Sequence, residues 1–582
     1  MILYLTNAPS EILALRSIVE GLPDGFPEVR AADVTTLGEA PSLEGVTVVA
    51  VRLLGGADAW RSQLARLRAE ADKRGVSLLA FGGESAPDAE LTAMSNVPSA
   101  TVAQAFEYLL HGGLANLEQM LRFVSDTLTM TGFGFDPPVE VPVTGVYHRS
   151  PERGGPTVAV LFYRAHLIAG NTTFVDDLCE AIEARGGEAV AVWTYSLRPD
   201  AQGEVEALRL LGELRPDVIV TTVLVSGAAG DDGLCWDASA IGSIGVPVLQ
   251  AITSTASRYT WEESAGGLAP MDVAMRVAIP EFDGRIISVP FSFNEEVDDE
   301  TALGTSVSAY RSVPDRVSRV AGSAVRLGRL RRTPNAIKKV AVVLSAYPTK
   351  RARIGNAVGL DTPASVVELL EAMRRAGYSI SRVPGSGDEL MAELIDTMSY
   401  ESEALTAEQL AGAPGRMDPQ LYAQWFAGLS EALRGSLETA WGPAPGGVYV
   451  DPSSGDLVFA GLDLGNVFVA VQPPRGFGKN PVAIYHSPDL APTHHYLGFY
   501  RWLDMVWGAD AIVHVGKHGT LEWLPGKGVG LSASCWPDVA LGDVPVVYPF
   551  IVNDPGEGTQ AKRRAHATIV DHLLPPMTRA ET

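Results

Sequence analysis

Three times along this chain an apolar run is followed by a turn and then by helical periodicity. The runs are Met1 to Leu5 with its partners Val46 to Leu54 and Val76 to Phe81, then a restart at Thr157, then another at Lys338. Val46 to Leu54 runs into Gly55-Gly56, and Val76 to Phe81 into Gly82-Gly83. Short continuous apolar runs closed by Gly predict strands buried on both faces of a parallel sheet, with helices as the crossovers. The fold class expected is therefore α/β and multidomain, with several parallel-sheet βαβ domains and a helical insertion. A chain of 582 residues exceeds what one hydrophobic core organises, which agrees with that count.

The expected divisions are 1–138, closing in the turn-rich Gly132-Phe-Gly-Phe-Asp-Pro-Pro138; 139–335; 336–445, which becomes helical and polar from residue 385; and 446–582. The helix from Ala57 to Arg74 is an expected crossover. The segment from Thr157 to Trp193 reads as strand, polar loop, helix ending at Gly186-Gly187, and strand. Ligands of such sheets bind beyond the carboxyl ends of the strands, so Tyr163, Arg164, His166 and Asn171 are placed either to line a pocket or to cap the turn. Lys350, Arg351 and Arg353 occupy an equivalent loop and either hold carboxylates or phosphates or form a chance cluster on a surface loop.

Composition excludes several classes. A formal charge of −24 leaves no broad basic face for nucleic acid, and the short cluster Arg326, Arg329, Arg331, Arg332 reads as a solvated helix face. Cys179, Cys235 and Cys535 are far apart and odd in number, which fits a reducing compartment. The amino terminus has no basic region before its apolar run, and no segment reaches the roughly 20 apolar residues of a membrane span. A cytoplasmic location is expected. The chain has no G-x-x-x-x-G-K-[ST] phosphate loop, so nucleotide hydrolysis of that kind would fall to a partner.

Chemistry concentrates near the carboxyl terminus. The 87 residues from His486 to His572 hold seven of the ten histidines. Histidine titrates near neutrality and is the commonest metal ligand. His514, His518 and Glu522 recur at four-residue steps, but Gly516 and Gly519 disfavour a helix; His514 is expected near a strand end, His518 in the following loop, and Glu522 near a helix start. Such mixed nitrogen and oxygen donors suit cobalt, nickel or zinc better than calcium, and spacing does not choose among them. His494 and His495, if on a strand, would present only one side chain to each face.

The stretches HVGKHGTLEWLPGKGVGLSASCWPDVALGDVPVVYPFIVNDPGEGTQAKRRAHATIVDHLLPP, HSPDLAPTHHYLGFYRWL and SAYPTKRARIGNAVGLDTPAS closely resemble the CobN family of aerobic cobaltochelatase large subunits, which also takes in the magnesium chelatase large subunit. The segment from Asp554 to Arg564 resembles the cobalt branch. The resemblance implies a chelatase that inserts Co(II), as substrate, into hydrogenobyrinic acid a,c-diamide during aerobic cobalamin synthesis. It implies an AAA+ ATPase subunit and a companion subunit as partners, with ATP, bound with Mg, hydrolysed on the ATPase. Members of the family are longer, so groups supplied by the rest of such a protein are missing from this chain. On this reading His514 and His518 deliver cobalt, Glu522 is a ligand or proton acceptor raised toward neutrality by burial, and His494 and His495 are further bases or ligands. Arg475 and the Lys350, Arg351, Arg353 loop would hold the acidic side chains of the macrocycle, while Trp523 and Trp536 would pack on its face. Two alternatives stay open: magnesium insertion into protoporphyrin IX, and a non-catalytic tetrapyrrole-binding scaffold.

Overall fold

The computed structural model describes residues 1–572 except 57, 83–85, 200–203, 225–227, 230–235, 298–302, 347–353, 358–359, 399, 402–404, 478–486, 517–518 and 552–554. It contains three parallel-dominated sheets in chain order. In the first, β1 (Ile2–Thr6), β2 (Val29–Asp33), β3 (Val48–Leu53) and β4 (Ser77–Gly82) pair in parallel in the order β2-β1-β3-β4. Three of these are the apolar runs expected from the sequence. The fourth, β2, lies at the sheet edge and exposes Arg30, which removes the continuous apolar signal. Helix α1 (Pro9–Val19) turns Ile12, Leu13, Leu15 and Ile18 into the core. The expected crossover near residues 57–74 is a helix from Arg61 to Arg74, preceded by a single turn of 3-10 helix.

The second sheet comprises β5 (Thr144–Arg149), β6 (Thr157–Tyr163), β7 (Glu188–Thr194), β8 (Val218–Thr221), β9 (Val248–Ser254), β10 (Ile286–Val297) and β11 (Val307–Ser312), ordered β11-β10-β9-β8-β6-β7-β5. Only the two edge strands, β5 and β11, run antiparallel to their neighbours. Helix α2 (Pro314–Arg332) covers one face and buries Val317, Val320, Ala321, Ala324 and Val325. Its basic last turns are more than a solvated face. Arg326 pairs with Asp504, Arg329 donates to the Arg185 carbonyl at 2.7 Å, Arg331 to the Gly245 carbonyl at 2.8 Å, and Arg332 pairs with Asp217 at 2.9 Å.

The third sheet corrects the expected division at residue 445. Strands β12 (Val340–Leu344), β13 (Gly461–Asp463), β14 (Val467–Val471), β15 (Ala511–Val515), β16 (Val546–Ile551) and β17 (Thr568–His572) form one sheet, ordered β13-β14-β12-β15-β16-β17. Central β12 precedes the helical insertion, and both of its neighbours follow it. The segments 336–445 and 446–582 are thus a single α/β unit. Pairing across more than a hundred intervening residues leaves no local periodicity for a sequence reading to find.

Helix α2 also seams the second unit to the third. Arg316 Nη1 reaches Asp538 at 3.0 Å, Arg319 Nε reaches the other oxygen of Asp538 at 2.7 Å, and Arg319 Nη1 reaches Asp543 at 3.1 Å. The side chains of Asp538 and its two arginines are at most 7 % exposed. Gly322 makes this approach possible, because a Cβ there would stand 2.1 Å from an Asp543 oxygen. Burial by itself would raise the Asp538 carboxyl, but Arg319 and Arg316 hold it well below the usual carboxylate range. Its stabilisation is therefore complete above the ordinary carboxylate pKa and is lost only as the pH falls well below it. Asp538→Asn leaves Arg316 and Arg319 with only Asp315 and Asp543 as counter-charges among the described residues and is expected to cost about 1–3 kcal/mol, read as a lowered denaturant midpoint at neutral pH; a midpoint within error of the parent would remove this pair as the seam.

Candidate functional site

Strand β12 has its successors β14 and β15 on opposite sides, so the chain reverses direction of travel across the sheet at β12. A crevice opens at the carboxyl ends of the strands at such a switch point. His514 lies one residue before the end of β15, opposite Val343 of β12. Its ring is buried, with its centroid 5.2 Å from that of Tyr548 on β16. The chain leaves β15 through Gly516, at φ 151°, where a Cβ would stand 2.2 Å from the Ser345 hydroxyl oxygen. It returns to the crevice at Gly519 and enters a single turn of 3-10 helix, Leu521–Trp523, that carries Glu522.

Gly519 is the hub of this arrangement. A Cβ on it would lie 2.9 Å from His514 Nε2 and 3.2 Å from Glu522 Oε2, so both groups converge on the space that a side chain would fill. The Gly519 amide donates to Glu522 Oε1 at 3.0 Å. Glu522 is only 2 % exposed. The structure thus brings together two of the three residues expected at this site, in the predicted strand end and helical turn. His518 lies outside the described residues.

A hydroxyl network lies near the carboxylate. Helix α3 (His494–Trp502) presents Tyr496 and Tyr500, whose hydroxyls accept from the Gln472 amide at 3.1 and 2.8 Å. Tyr496 also shares a 2.9 Å hydrogen bond with Thr520 Oγ1, and the Thr520 amide donates to Gln472 Oε1 at 3.0 Å. Burial pushes the phenols of Tyr496, Tyr500 and Tyr548 up, and the Glu522 charge adds to the effect on each. They remain neutral hydrogen-bonding groups around a buried carboxylate. An imidazole and a carboxylate so enclosed can accept protons or bind a cation that sheds its water.

The remaining expected residues are placed differently. His494 and His495 start helix α3 rather than lying on a strand, and both turn into the core. His494 Nδ1 bonds with the Tyr422 hydroxyl and Nε2 with the Gly442 carbonyl, both at 2.9 Å. His495 Nε2 bonds with the Val458 carbonyl at 2.7 Å, its ring lies among Tyr400, Tyr449 and Phe459, and burial pushes its pKa down to about 4. Arg475 is fully buried, its guanidinium donating to the carbonyls of Trp523 at 2.8 Å, Ser487 at 2.9 Å and Leu490 at 3.1 Å. It is turned inward, away from any ligand carboxylate at the surface. Trp536 is 4 % exposed and belongs to the core, whereas Trp523 is half-buried beside Glu522. Lys350, Arg351 and Arg353 lie outside the described residues.

In the second unit, the loop after β6 is a tie between elements. Arg164 donates to the carbonyls of His111, Val141 and Pro142, Asn171 accepts from the Tyr310 amide, and Tyr163 accepts from the Leu224 amide. His166 packs edge-on against Phe174 and Tyr310, and burial, aided by Arg276, pushes it down to about 4. Among the described residues no three His, Cys, Asp or Glu side chains converge as a metal cage, so His514 and Glu522 are the donors in view. Gln472, Tyr500, Tyr548 and Arg564 were not singled out from the sequence. Tyr496 and Tyr500 sit four apart in an aromatic run that reads as plain core, and only the fold aims them at Glu522.

Gly519→Ala is expected to force His514 and Glu522 apart at a cost of about 1–3 kcal/mol, visible as a lowered unfolding midpoint. His495 supplies a pH signature. The unfolded imidazole takes a proton near pH 6.5 and the folded one near pH 4, so its stabilisation is complete above pH 6.5 and is lost as the pH falls toward 4. Denaturant midpoints should therefore drop between pH 6.5 and 5 by an amount worth on the order of 2 kcal/mol from this residue, and His495→Leu should flatten that slope.

Comparison with known proteins adds to this geometry. The family model described as CobN/Magnesium Chelatase matches residues 106–582. The solved catalytic subunit of cobaltochelatase from Mycobacterium tuberculosis is 46% identical, with a TM-score of 0.84, and its alignment covers 100% of this chain and 48% of that one. The aerobic cobaltochelatase subunit CobN of Pseudomonas aeruginosa is 40% identical over 100% of this chain and 47% of its own length. A magnesium-chelatase subunit of Rhodobacter capsulatus is 29% identical over 81% of this chain and 41% of its own. The chain spans about half the length of the curated cobaltochelatase relative it matches.

Proposed function

Because the chain belongs to the CobN/magnesium chelatase family, we propose that it is the macrocycle-binding portion of an ATP-dependent cobaltochelatase acting in aerobic cobalamin synthesis. The substrates are Co(II) and hydrogenobyrinic acid a,c-diamide. The observation that carries this reading is the convergence of His514 and Glu522 on Gly519 in a buried crevice. Higher identity to the cobalt relatives than to the magnesium one supports cobalt.

Insertion requires that the ion lose water and that the inner N–H proton of the corrin ring leave. The His514 imidazole, with His518 beside it in sequence, offers nitrogen donors to the arriving cobalt. The Glu522 carboxylate accepts a ring proton, and the neutral phenols around it exclude bulk water while supplying hydrogen bonds. The half-buried Trp523 would pack on the ring face, and Lys350, Arg351 and Arg353 would meet the ring's acidic side chains. The AAA+ ATPase subunit hydrolyses ATP with Mg, a companion subunit completes the complex, and the assembly works in the cytoplasm. Among the described residues no helix is long and apolar enough to cross a membrane. A second reading, that this chain only holds the tetrapyrrole, differs from the first in expecting ring binding without metal insertion.

A visible absorption titration with hydrogenobyrinic acid a,c-diamide, with and without Co(II), then with partner subunits and ATP, separates these readings. Saturable binding and a cobalt-corrinoid spectrum only in the complete mixture is the expected result. Binding without conversion favours the holding role, and preferential magnesium insertion into protoporphyrin IX overturns the cobalt assignment. Glu522→Gln should lower turnover roughly 10²–10⁴-fold while ring binding persists; unimpaired turnover would remove Glu522 from the chemistry.

A further inference from the structure

The segment from Asp554 to Arg564 carries the resemblance to the cobalt branch, yet none of its residues has a part in the chemistry above. It contains helix α4 (Pro555–Arg564), and the last residue of that helix reaches back toward Glu522. Arg564 is 8 % exposed, and its guanidinium makes three hydrogen bonds, all to carbonyls of one short loop. Nη1 donates to Glu522 O at 2.6 Å, Nη2 to Leu524 O at 2.7 Å and Nε to Lys527 O at 3.1 Å. From another direction Arg475 donates to Trp523 O at 2.8 Å. The carbonyls of three successive residues, 522 to 524, are therefore each held by a buried guanidinium.

The far end of the loop is tied as well. Lys527 Nζ donates to the carbonyls of Trp261, Glu262 and Ser264 at 2.8, 2.9 and 2.7 Å, so the second unit anchors what Arg564 grips. Burying cations against neutral carbonyls is expensive compared with apolar packing of the same volume. Rigid planar forks are, however, well suited to fixing a backbone turn. The Glu522 carboxylate needs that fixing, since contact with the Gly519 amide at 3.0 Å and proximity to His514 leave little tolerance.

We propose that Arg564 is a positioning residue: by holding the Glu522 and Leu524 carbonyls it aims the Glu522 carboxylate beside His514, and it thereby sets the rate of proton removal without contacting the macrocycle. This rests on the reading of Glu522 as proton acceptor. Displacement of a reacting group by about 1 Å costs up to ~10²-fold in rate, which fixes the scale expected.

The test is Arg564→Lys in the complete chelatase assembly, with Arg563→Lys as control because Arg563 pairs instead with Glu281 of the second unit at 2.7 Å. Hydrogen exchange of the amides between Gly519 and Lys527 should accelerate in Arg564→Lys and stay unchanged in the control. Cobalt insertion should show kcat reduced roughly 10–100-fold, KM for the ring within about twofold, and a displaced acid limb of the kcat–pH profile. Arg564→Gln, which keeps one amide donor, replaces the lysine variant if that one does not fold. Unchanged exchange at the turn overturns the proposal, as does faster exchange with kcat and pH profile intact. A parent assembly that inserts no cobalt overturns the chelatase reading instead, and exchange, which needs no activity, still decides whether Arg564 holds the turn.

Discussion

The carboxylate of Asp538 between Arg316 and Arg319 is the contact on which the relation of the second and third units depends. Two guanidiniums from one helix meet one acid on a short helix, Trp536–Leu541, some two hundred residues later, in a space almost closed to solvent. Removing any member strands charge in a medium that cannot hydrate it, so the arrangement admits little drift. Apolar packing follows the same line. Leu531 and Cys535, from the third unit, belong to the hydrophobic core built around the second sheet. Trp261 of the second unit donates its indole N–H to the Gly530 carbonyl at 2.8 Å. The segment from Pro525 to Asp543, which includes the short helix Trp536–Leu541, is thus shared by both units, and it is the direct continuation of the turn that carries Glu522.

Within the crevice, chemistry and packing compete for the same volume. A side chain at 519 would add apolar contact, but it would occupy the space where an imidazole and a carboxylate approach one another. Glycine leaves that space to the functional groups. The tyrosines around it hold their protons because their burial and the nearby acid both oppose ionisation. Glu522 therefore sits near neutral phenols that compete weakly for a proton, an environment suited to taking one from a substrate. The two buried arginines act on the backbone of the same turn instead of on its side chain.

Local pattern was informative where structure is local. The apolar runs of β1, β3, β4, β6 and β12 identified themselves because strands buried on both faces need no polar alternation. His514 at a strand end and Glu522 at a helical turn followed from Gly516 and Gly519 breaking any helix between them. The pair His494–His495 misled, because aromatic neighbours and a Thr cap make that segment a buried helix start whose imidazoles are spent on Tyr422 and two backbone carbonyls. Arg475 misled for a related reason: a cation in a Pro-Gly turn looks like a surface ligand-binder until its acceptors, all carbonyls from other parts of the chain, are in place.

The sequence by itself determined the class of fold, the strands at its core, and the stretch where a histidine and a glutamate recur at the end of a buried strand. These depend on periodicity and on backbone-breaking residues, which act over a few positions. The tertiary structure alone decided that residues 336–445 and 446–582 share one sheet, that Gln472, Tyr496, Tyr500 and Tyr548 surround Glu522, and that Arg564 holds its turn. Each of those outcomes depends on which distant segments compete best for one another's hydrogen bonds and apolar surface, and no spacing along the chain encodes that competition.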